Sequence, residues 1–416
     1  MHIFFVVNLS RPLSSRDTFL FFGVLNTMRR IPVILAAGAL WVGFSAQAEV
    51  SDEEFNKLKA QYADLAEKVD GKSDSSWADR IGISGDFRYR YENIDEESKD
   101  ERNRSRIRAR TAIKAALLND IEVGFGLATG SEDPVSANVT IGGGGSSKEI
   151  NLDLAYASWT GLSNTVLTGG KFKNPFIRPG GNGLLWDGDW RPEGLTAGWD
   201  NGRFFGTAFG TWLDGDSKGG SEFAWGVQGG FKADLSGTTV MIGASYFDIG
   251  AEGEQTVFGE PDEFFGNSGT CVDPVTPADC TYDYNYEEVE VFVEVATRIA
   301  GQAVKFFADY VQNQDADDND TGWAAGVKLG KAKDTGKWEA GYLYQDLEAD
   351  AVFGLLTDSD FGGGGTDNKG HRMYIGYGLN KMAALKATYF INEVNVVSGN
   401  PNDYDRLVLD IQFKFK

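Results

Sequence analysis

The alternation of short and long breaks between its strand-like segments constrains this chain most. From residue 81 onward, sixteen segments of mostly 9–13 residues carry apolar side chains at every second position, which is the period of a β-strand. Seven short turns alternate with eight long loops around these segments. An up-and-down membrane barrel produces this pattern, because its turns are short on one side of the membrane and long on the other. A soluble β-sandwich has no reason to keep it.

The sequence therefore predicts an all-β membrane protein, a 16-stranded antiparallel transmembrane β-barrel. A closed barrel is the only sheet that can span hydrocarbon, because it leaves no unpaired edge. With sixteen strands the interior is too wide for side chains to fill, so we expect it to hold water. The predicted strands are 81–91, 106–118, 121–129, 150–160, 165–173, 193–200, 203–213, 221–233, 238–249, 285–299, 302–312, 321–331, 336–347, 370–379, 384–394 and 403–415.

The stretch "RSRIRARTAIKAALLNDIEVGFGLATG" (104–130) shows the two faces of such a wall. Basic residues alternate with aliphatic ones, and the pattern resumes after "ND", a plausible hairpin turn. In a soluble sandwich the charged face would meet water, whereas in a barrel it faces the lumen and the aliphatic face meets lipid. Strand-end aromatics such as Trp159, Trp212, Trp323 and Tyr404 are predicted to belong to the interfacial girdles.

The first 72 residues are predicted to precede the barrel, which we place at 80–416. Residues 28–48 have a basic start, an apolar core and a small-residue end, the pattern of a signal peptide cleaved after Ala48. Residues 1–27 are an upstream extension, with Met28 the favoured initiator. Residues 49–72 are predicted to form a short periplasmic helix with coiled-coil spacing; a helix resting on the protein itself is the alternative. The apolar positions with that spacing are Phe55, Leu58, Tyr62, Leu65 and Val69.

Composition excludes several classes of function. The formal net charge of −22 argues against nucleic acid as a partner, because phosphates need cationic contacts. Residues 250–284 hold eight acidic and no basic residues, which indicates a solvated external loop or a mouth that attracts cations. Cys271 and Cys280 lie in that loop, and export predicts a disulfide between them. No metal site or cofactor is expected. His371 lacks a partner nucleophile motif, so the sequence does not indicate an enzyme.

The inner face of the predicted wall is strongly charged. Five arginines on the first two strands should form one basic patch, with Lys114 beyond it. This patch suggests a field across the pore, and the alternative is a solvated salt-bridge network that stiffens the wall. The predicted pore-lining basic residues are Arg88, Arg90, Arg106, Arg108, Arg110 and Lys114, and the acidic ones are Glu122, Glu288, Glu290 and Glu294. Asp86, Glu92, Glu122, Asp187 and Asp189 are the candidate partners of the arginines.

The chain resembles the "putative porins" of Gram-negative outer membranes, and more broadly the sixteen-stranded general and phosphate-selective porins. The resemblance rests on "SDEEFNKLKAQYADLAEKV", "GDFRYRYE", "RSRIRARTAIKA", "RLVLDIQFKFK" and, most distinctively, on "KFKNPFIRPGGNGLLWDGDWRPEGLTAGW" (171–199). One departure is Lys416, which follows Phe415 where such barrels end on an aromatic residue.

The resemblance implies a passive, commonly trimeric diffusion channel whose third long loop folds into the lumen. Here that loop is 174–192; the alternative is an external loop whose tryptophans pack on a neighbouring loop. Its candidate constriction residues are Arg178, Trp186, Asp187, Asp189, Trp190 and Arg191.

We therefore expect a porin of the bacterial outer membrane that passes small hydrophilic solutes and ions. Its expected partners are outer-membrane lipid, lipopolysaccharide and two further copies of the chain. A substrate-selective anion channel built on the arginines is one alternative. A structural or adhesive barrel with a plugged lumen is another.

Overall fold

The structure is a computed structural model that describes residues 56–57, 59–60, 77–97, 99–117, 120–215, 221–273, 279–397 and 401–416. The chain divides into two units, Met1–Asp74 and Ser75–Lys416. The four described residues of the first unit are helical. The rest of the predicted helix 49–72 and the predicted signal peptide lie outside the described residues, so both stay predictions. No helix among the described residues is long and apolar enough to cross a membrane.

Nineteen strands are described in the second unit, numbered in chain order. They are β1 (Ile81–Glu96), β2 (Arg102–Ala116), β3 (Ile121–Thr129), β4 (Val139–Thr140), β5 (Ile150–Trp159), β6 (Thr165–Lys171), β7 (Glu193–Asp200), β8 (Phe204–Gly215), β9 (Ser221–Leu235), β10 (Thr238–Ile249), β11 (Gly269–Cys271), β12 (Cys280–Tyr282), β13 (Tyr286–Ile299), β14 (Gln302–Asn313), β15 (Thr321–Gly330), β16 (Trp338–Leu347), β17 (Asn368–Gly378), β18 (Ala383–Val394) and β19 (Asn402–Phe415). Single 3₁₀ turns lie at Trp77–Arg80, Pro179–Gly181, Gly354–Leu356 and Phe361–Gly363.

Sixteen of these strands form one closed antiparallel barrel, which confirms the predicted fold. β1 pairs with β2 on one side and with β19 on the other, so the sheet has no free edge. The remaining three are short loop strands: β4 pairs with β2, and β11 pairs with β12. All sixteen predicted strands are present, and their ends differ from the predicted ones by a few residues.

Short turns join the strands at one end of the barrel. Two of them place consecutive residues at positive φ: Ser236 and Gly237 at 57° and 89°, and Ala300 and Gly301 at 50° and 80°. Two left-handed residues in succession match the right-handed twist of paired strands, which is why such turns close hairpins.

Side chains alternate between the outer wall and the interior. Ile113, Val123 and Phe125 are exposed on the outer wall, as expected for a surface that faces hydrocarbon. Trp159 is exposed there too, whereas Tyr404 is buried, so its assignment to the girdle was wrong. The reason is the period of two: Tyr404 shares a face with Arg406, which points inward.

The interior is not polar throughout, because long loops fold into it and bring apolar side chains. Inward-facing phenylalanines of the wall, among them Phe209, Phe247 and Phe307, pack with residues of loops 172–192, 250–285 and 348–367. The buried loop members of this apolar cluster are Phe176, Leu184, Leu185, Trp186, Trp190, Ala251, Phe264, Cys280, Tyr282, Ala351, Val352, Phe353, Leu355, Leu356 and Phe361.

Candidate functional site

The arginines of the first two strands lie side by side on the inner wall. Antiparallel register sets Arg88 opposite Arg108, and Arg90 opposite Arg106. Closure of the barrel adds β19, on which Arg406 is almost fully buried. We call Arg88, Arg90, Arg104, Arg106, Arg108, Arg110 and Arg406 the arginine cluster.

Carboxylates from several parts of the chain separate these positive charges. Asp86 contacts Arg108 at 3.0 Å and Arg110 at 2.8 Å, and Asp189 from loop 172–192 contacts the same two at 3.2 and 2.7 Å. Asp410 accepts two hydrogen bonds from Arg90, at 2.8 and 3.0 Å. Such contacts are required, because unpaired like charges at this spacing repel strongly away from water.

A second group of contacts lies deeper in the cluster. Glu92, which is fully buried, accepts hydrogen bonds from Arg104 and, at 2.8 Å, from Arg406. Asp360 from loop 348–367 lies between Arg90 and Arg406, at 2.8 Å from each. Arg104, Arg406, Asp360 and Asp410 are not among the site residues predicted from the sequence. Arg104 lies on β2, which begins four residues before its predicted start. Arg406 and Asp410 are brought in by pairing of the last strand with the first, and Asp360 by an inward-folded loop.

Loop 172–192 is anchored in the barrel by its tryptophans. The rings of Trp186 and Trp190 stack with centroids 4.7 Å apart, and Trp186 packs edge-on against Phe247 of the wall at 4.9 Å. Both tryptophans are buried. Burial of two large rings against the inner wall explains why the loop lies inside and not in solvent.

The same loop reaches the opposite wall. The backbone N–H of Gly180 donates to Glu294 of β13 at 2.8 Å, and the Asn182 amide donates to Asp309 of β14 at 2.8 Å. Because Asp189 binds β2, the loop crosses the lumen and contacts both sides.

Loop 348–367 also lies inside the barrel, although its inward fold was not predicted from the sequence. Its "AVFGLL" run is buried, and the backbone N–H of Phe353 donates to Glu288 at 2.9 Å. Asp187 joins the two loops: its backbone N–H donates to the Leu356 carbonyl at 2.7 Å, and its carboxylate accepts from Ser359 at 3.0 and 3.1 Å. The apolar run "AVFGLL" within an otherwise polar loop was the sequence signal that could have indicated this inward fold.

The pKa values of Asp187 in loop 172–192 and Asp360 in loop 348–367 are shifted in opposite directions. Burial raises the pKa of Asp187 to about 8, and the neighbouring carboxylates of Asp358 and Asp189 act in the same sense. Burial also opposes ionisation of Asp360, but the charges of Arg406, Arg90 and Arg88 outweigh it and hold its pKa well below the usual range.

A polar cavity of about 200 Å³ lies between the arginine cluster and the two loops. Arginines and aspartates line it together, so it presents both signs of charge to anything that enters. Its charged lining residues are Arg88, Arg108, Arg178, Asp187, Asp189, Asp358 and Asp360.

Among the other predicted site residues, Arg178 lines this cavity, and most of the rest are paired elsewhere. Lys114 pairs with Glu122 at 2.7 Å, Arg191 pairs with Asp153 at 3.0 Å, and Arg178 donates to the Trp186 carbonyl at 2.8 Å. The carboxyls of Glu288 and Glu290 are buried beneath the loops. In loop 250–285, a disulfide joins Cys271 to Cys280.

Comparison with known proteins identifies the family. Residues 94–248 and 276–415, more than half of the chain, match the family model described as "Putative porin". The chain belongs to this family. It is a channel protein of the bacterial outer membrane, and family and fold are those of a channel rather than of an enzyme. No curated protein matches the chain in sequence.

Solved structures of porins are similar to this chain. OprB of Pseudomonas putida, solved at high pH, superposes with a TM-score of 0.55 at 11% sequence identity. The aligned region covers 81% of this chain and 95% of the OprB chain. OmpF of Salmonella typhi, in complex with daunomycin, gives a TM-score of 0.49 at 12% identity and covers 80% of this chain and 97% of its own. At 11% identity the likeness to OprB concerns the fold alone.

Proposed function

We propose that small hydrophilic solutes and ions cross this porin beside the arginine cluster, where loops 172–192 and 348–367 set the narrowest passage. The supporting observation is the polar cavity, which both loops border and which the arginine cluster lines. Asp189 and Asn182 hold the first loop to opposite walls, so its position does not depend on one contact. This passage extends the predicted constriction 174–192 by a second loop.

The second candidate is a channel that prefers anions. Seven arginines of the cluster share five carboxylates within 4.0 Å, Asp86, Glu92, Asp189, Asp360 and Asp410, which leaves a local excess of positive charge. Charges that line a low-dielectric passage act on permeating ions at close range.

Planar-bilayer recording with ion replacement tests both candidates. We expect purified, folded barrel to conduct potassium chloride, and its reversal potential in a salt gradient to show the preferred ion. A heat-modifiable, folded barrel that never opens a pore would contradict the diffusion channel and favour a structural or adhesive barrel.

We also infer a homotrimer in the outer membrane, embedded among lipid and lipopolysaccharide and produced with a cleaved signal peptide. The 3–4 spacing of apolar residues from Phe55 to Val69 supports association through residues 49–72. Two heptads are too short to associate alone, so contacts between barrels supply most of the stability. Deleting 49–72 should weaken the oligomer in mild detergent without unfolding the barrel; an intact chain that runs as a monomer would contradict the trimer.

A further inference from the structure

Arg88 differs from most of the arginine cluster in its partners. Its nearest carboxylate oxygen is that of Asp410, 3.9 Å from Nε, which is beyond hydrogen-bonding distance. The guanidinium donates instead to the neutral side chain of Asn138, and its Nε has no hydrogen-bond partner among the described residues. Arg106 is held in a similar way, by the Asn138 carbonyl at 3.0 Å. Of the two, Arg88 lines the cavity.

An arginine in this position needs an anion. Arg88 is 8% exposed, and Arg90 and Arg108 lie on either side of it in the cluster. Removing a guanidinium from water without a hydrogen-bonded carboxylate is costly, and neighbouring positive charges add to that cost. An anion that enters the cavity would supply the missing contact.

Asp360 indicates which anion fits. Its carboxylate already binds two arginines of the same cluster and borders the same cavity. Its side chain is 24% exposed, whereas those of Asp410 and Glu92 are 3% and 0% exposed. The side chains of Asp86 and Asp189 are 15% and 16% exposed, so Asp360 is the most exposed of the five carboxylates of the cluster. Planar guanidinium groups bind carboxylates through paired, charge-assisted hydrogen bonds.

We propose that Arg88 binds the carboxylate of a small organic anion as it crosses the cavity, and that Asp360 is an internal competitor that weakens this binding. This inference rests on the proposed channel and specifies its substrate class. A channel site must attract its solute and still release it. A tethered carboxylate that shares the field of the same arginines performs the release.

The test uses succinate as the probe, added in increasing concentration while chloride current is recorded through the full-length barrel. The measured quantity is the concentration of succinate that halves the current. Loss of one charge-assisted contact in Arg88→Gln should raise it about tenfold. Asp360→Asn removes the competitor and should lower it roughly tenfold by the same reasoning. Arg203→Gln, which removes an exposed arginine at the short turn between β7 and β8, is the matched control and should leave this concentration unchanged.

Two results would overturn the proposal: an unchanged half-blocking concentration in Arg88→Gln, or a raised one in Asp360→Asn. If Arg88→Gln does not fold, Arg88→Lys is used instead. Lysine keeps the charge but cannot make the paired hydrogen bonds of a guanidinium, so a smaller rise in the half-blocking concentration is expected. Phosphate that blocks as strongly as succinate, with the same dependence on Arg88, would overturn the carboxylate class. A wild-type barrel that conducts nothing would overturn the channel function itself, whereas conduction without succinate block overturns only the site.

Discussion

At the scale of single residues, this porin tolerates facing arginines because acidic residues from distant parts of the chain reach them. Arg88 and Arg108 are directly opposed on neighbouring strands, a pairing that is destabilising by itself. Asp86 comes from the same hairpin, Asp410 from the last strand, and Asp360 from a folded-in loop. Reversing several arginines to glutamate would therefore disrupt the wall as well as change its charge, so single neutral substitutions are the sharper test.

Asp187 gives a prediction for pH dependence. Its pKa of about 8 lies above the ordinary 3.8, so the carboxyl keeps its proton at neutral pH and loses it above about 8. A solvent-exposed Asp187 would ionise near pH 4, whereas the packed one does so only near 8. The free energy that holds the two loops together therefore decreases as the pH rises from about 4 towards 8. Ionisation adds a negative charge beside the cavity. Ion preference should therefore shift towards cations when the pH is raised past this value.

Reversal potentials in a fixed salt gradient, recorded below and above that pH, measure this shift. Asp187→Asn has no titrating group there and should lose the step, whereas Asp100→Asn in an exposed external loop should keep it. A step of the same size in Asp187→Asn would show that another group titrates.

At the scale of elements, the strands could be predicted from the sequence, but the interior could be predicted only in part. Period-two alternation reflects the face of the sheet on which each side chain lies, so every residue of a strand contributes to the pattern. The inward fold of loop 348–367 depends on contacts with distant residues, such as Glu288 and Asp187, that no local pattern records. Loop 172–192 was recognisable because two tryptophans within a long polar loop require cover.

Those tryptophans supply a prediction at this scale. Trp186→Ala removes a buried ring that stacks on Trp190 and packs on Phe247, and such substitutions cost about 3–5 kcal/mol. The loop should loosen, and single-channel conductance should rise. The rise should be partial, because loop 348–367 still occupies the lumen. Trp159→Ala removes the same side chain from the outer wall and is the matched control. Equal conductance in the two variants would contradict an anchoring role for Trp186.

At the scale of the whole molecule, two fields of opposite sign act on an ion at different depths. The long loops carry acidic charge on their exposed side: residues 250–284 fold apolar side chains inward, but seven of their eight carboxylates are exposed, and "DADDND" (315–320) adds four carboxylates. The lumen beyond them carries the excess positive charge of the arginine cluster. Which sign governs selectivity depends on how far each field reaches through salt water.

Raising the salt concentration should therefore reverse the ion preference of the channel. Screening acts over about 30 Å at 0.01 M but about 3 Å at 1 M, and buried charges are screened less than exposed ones. At low salt the acidic loops should enrich cations at the mouth, and at high salt the arginines should leave a preference for anions. Reversal potentials at a constant concentration ratio, measured from low to high salt, give the sign. Asp317→Asn with Asp318→Asn, both exposed, should reduce cation preference at low salt and leave the high-salt limit unchanged. If the double variant shifts both limits equally, the loop charges act inside the lumen, and the separation of the two fields by depth is wrong.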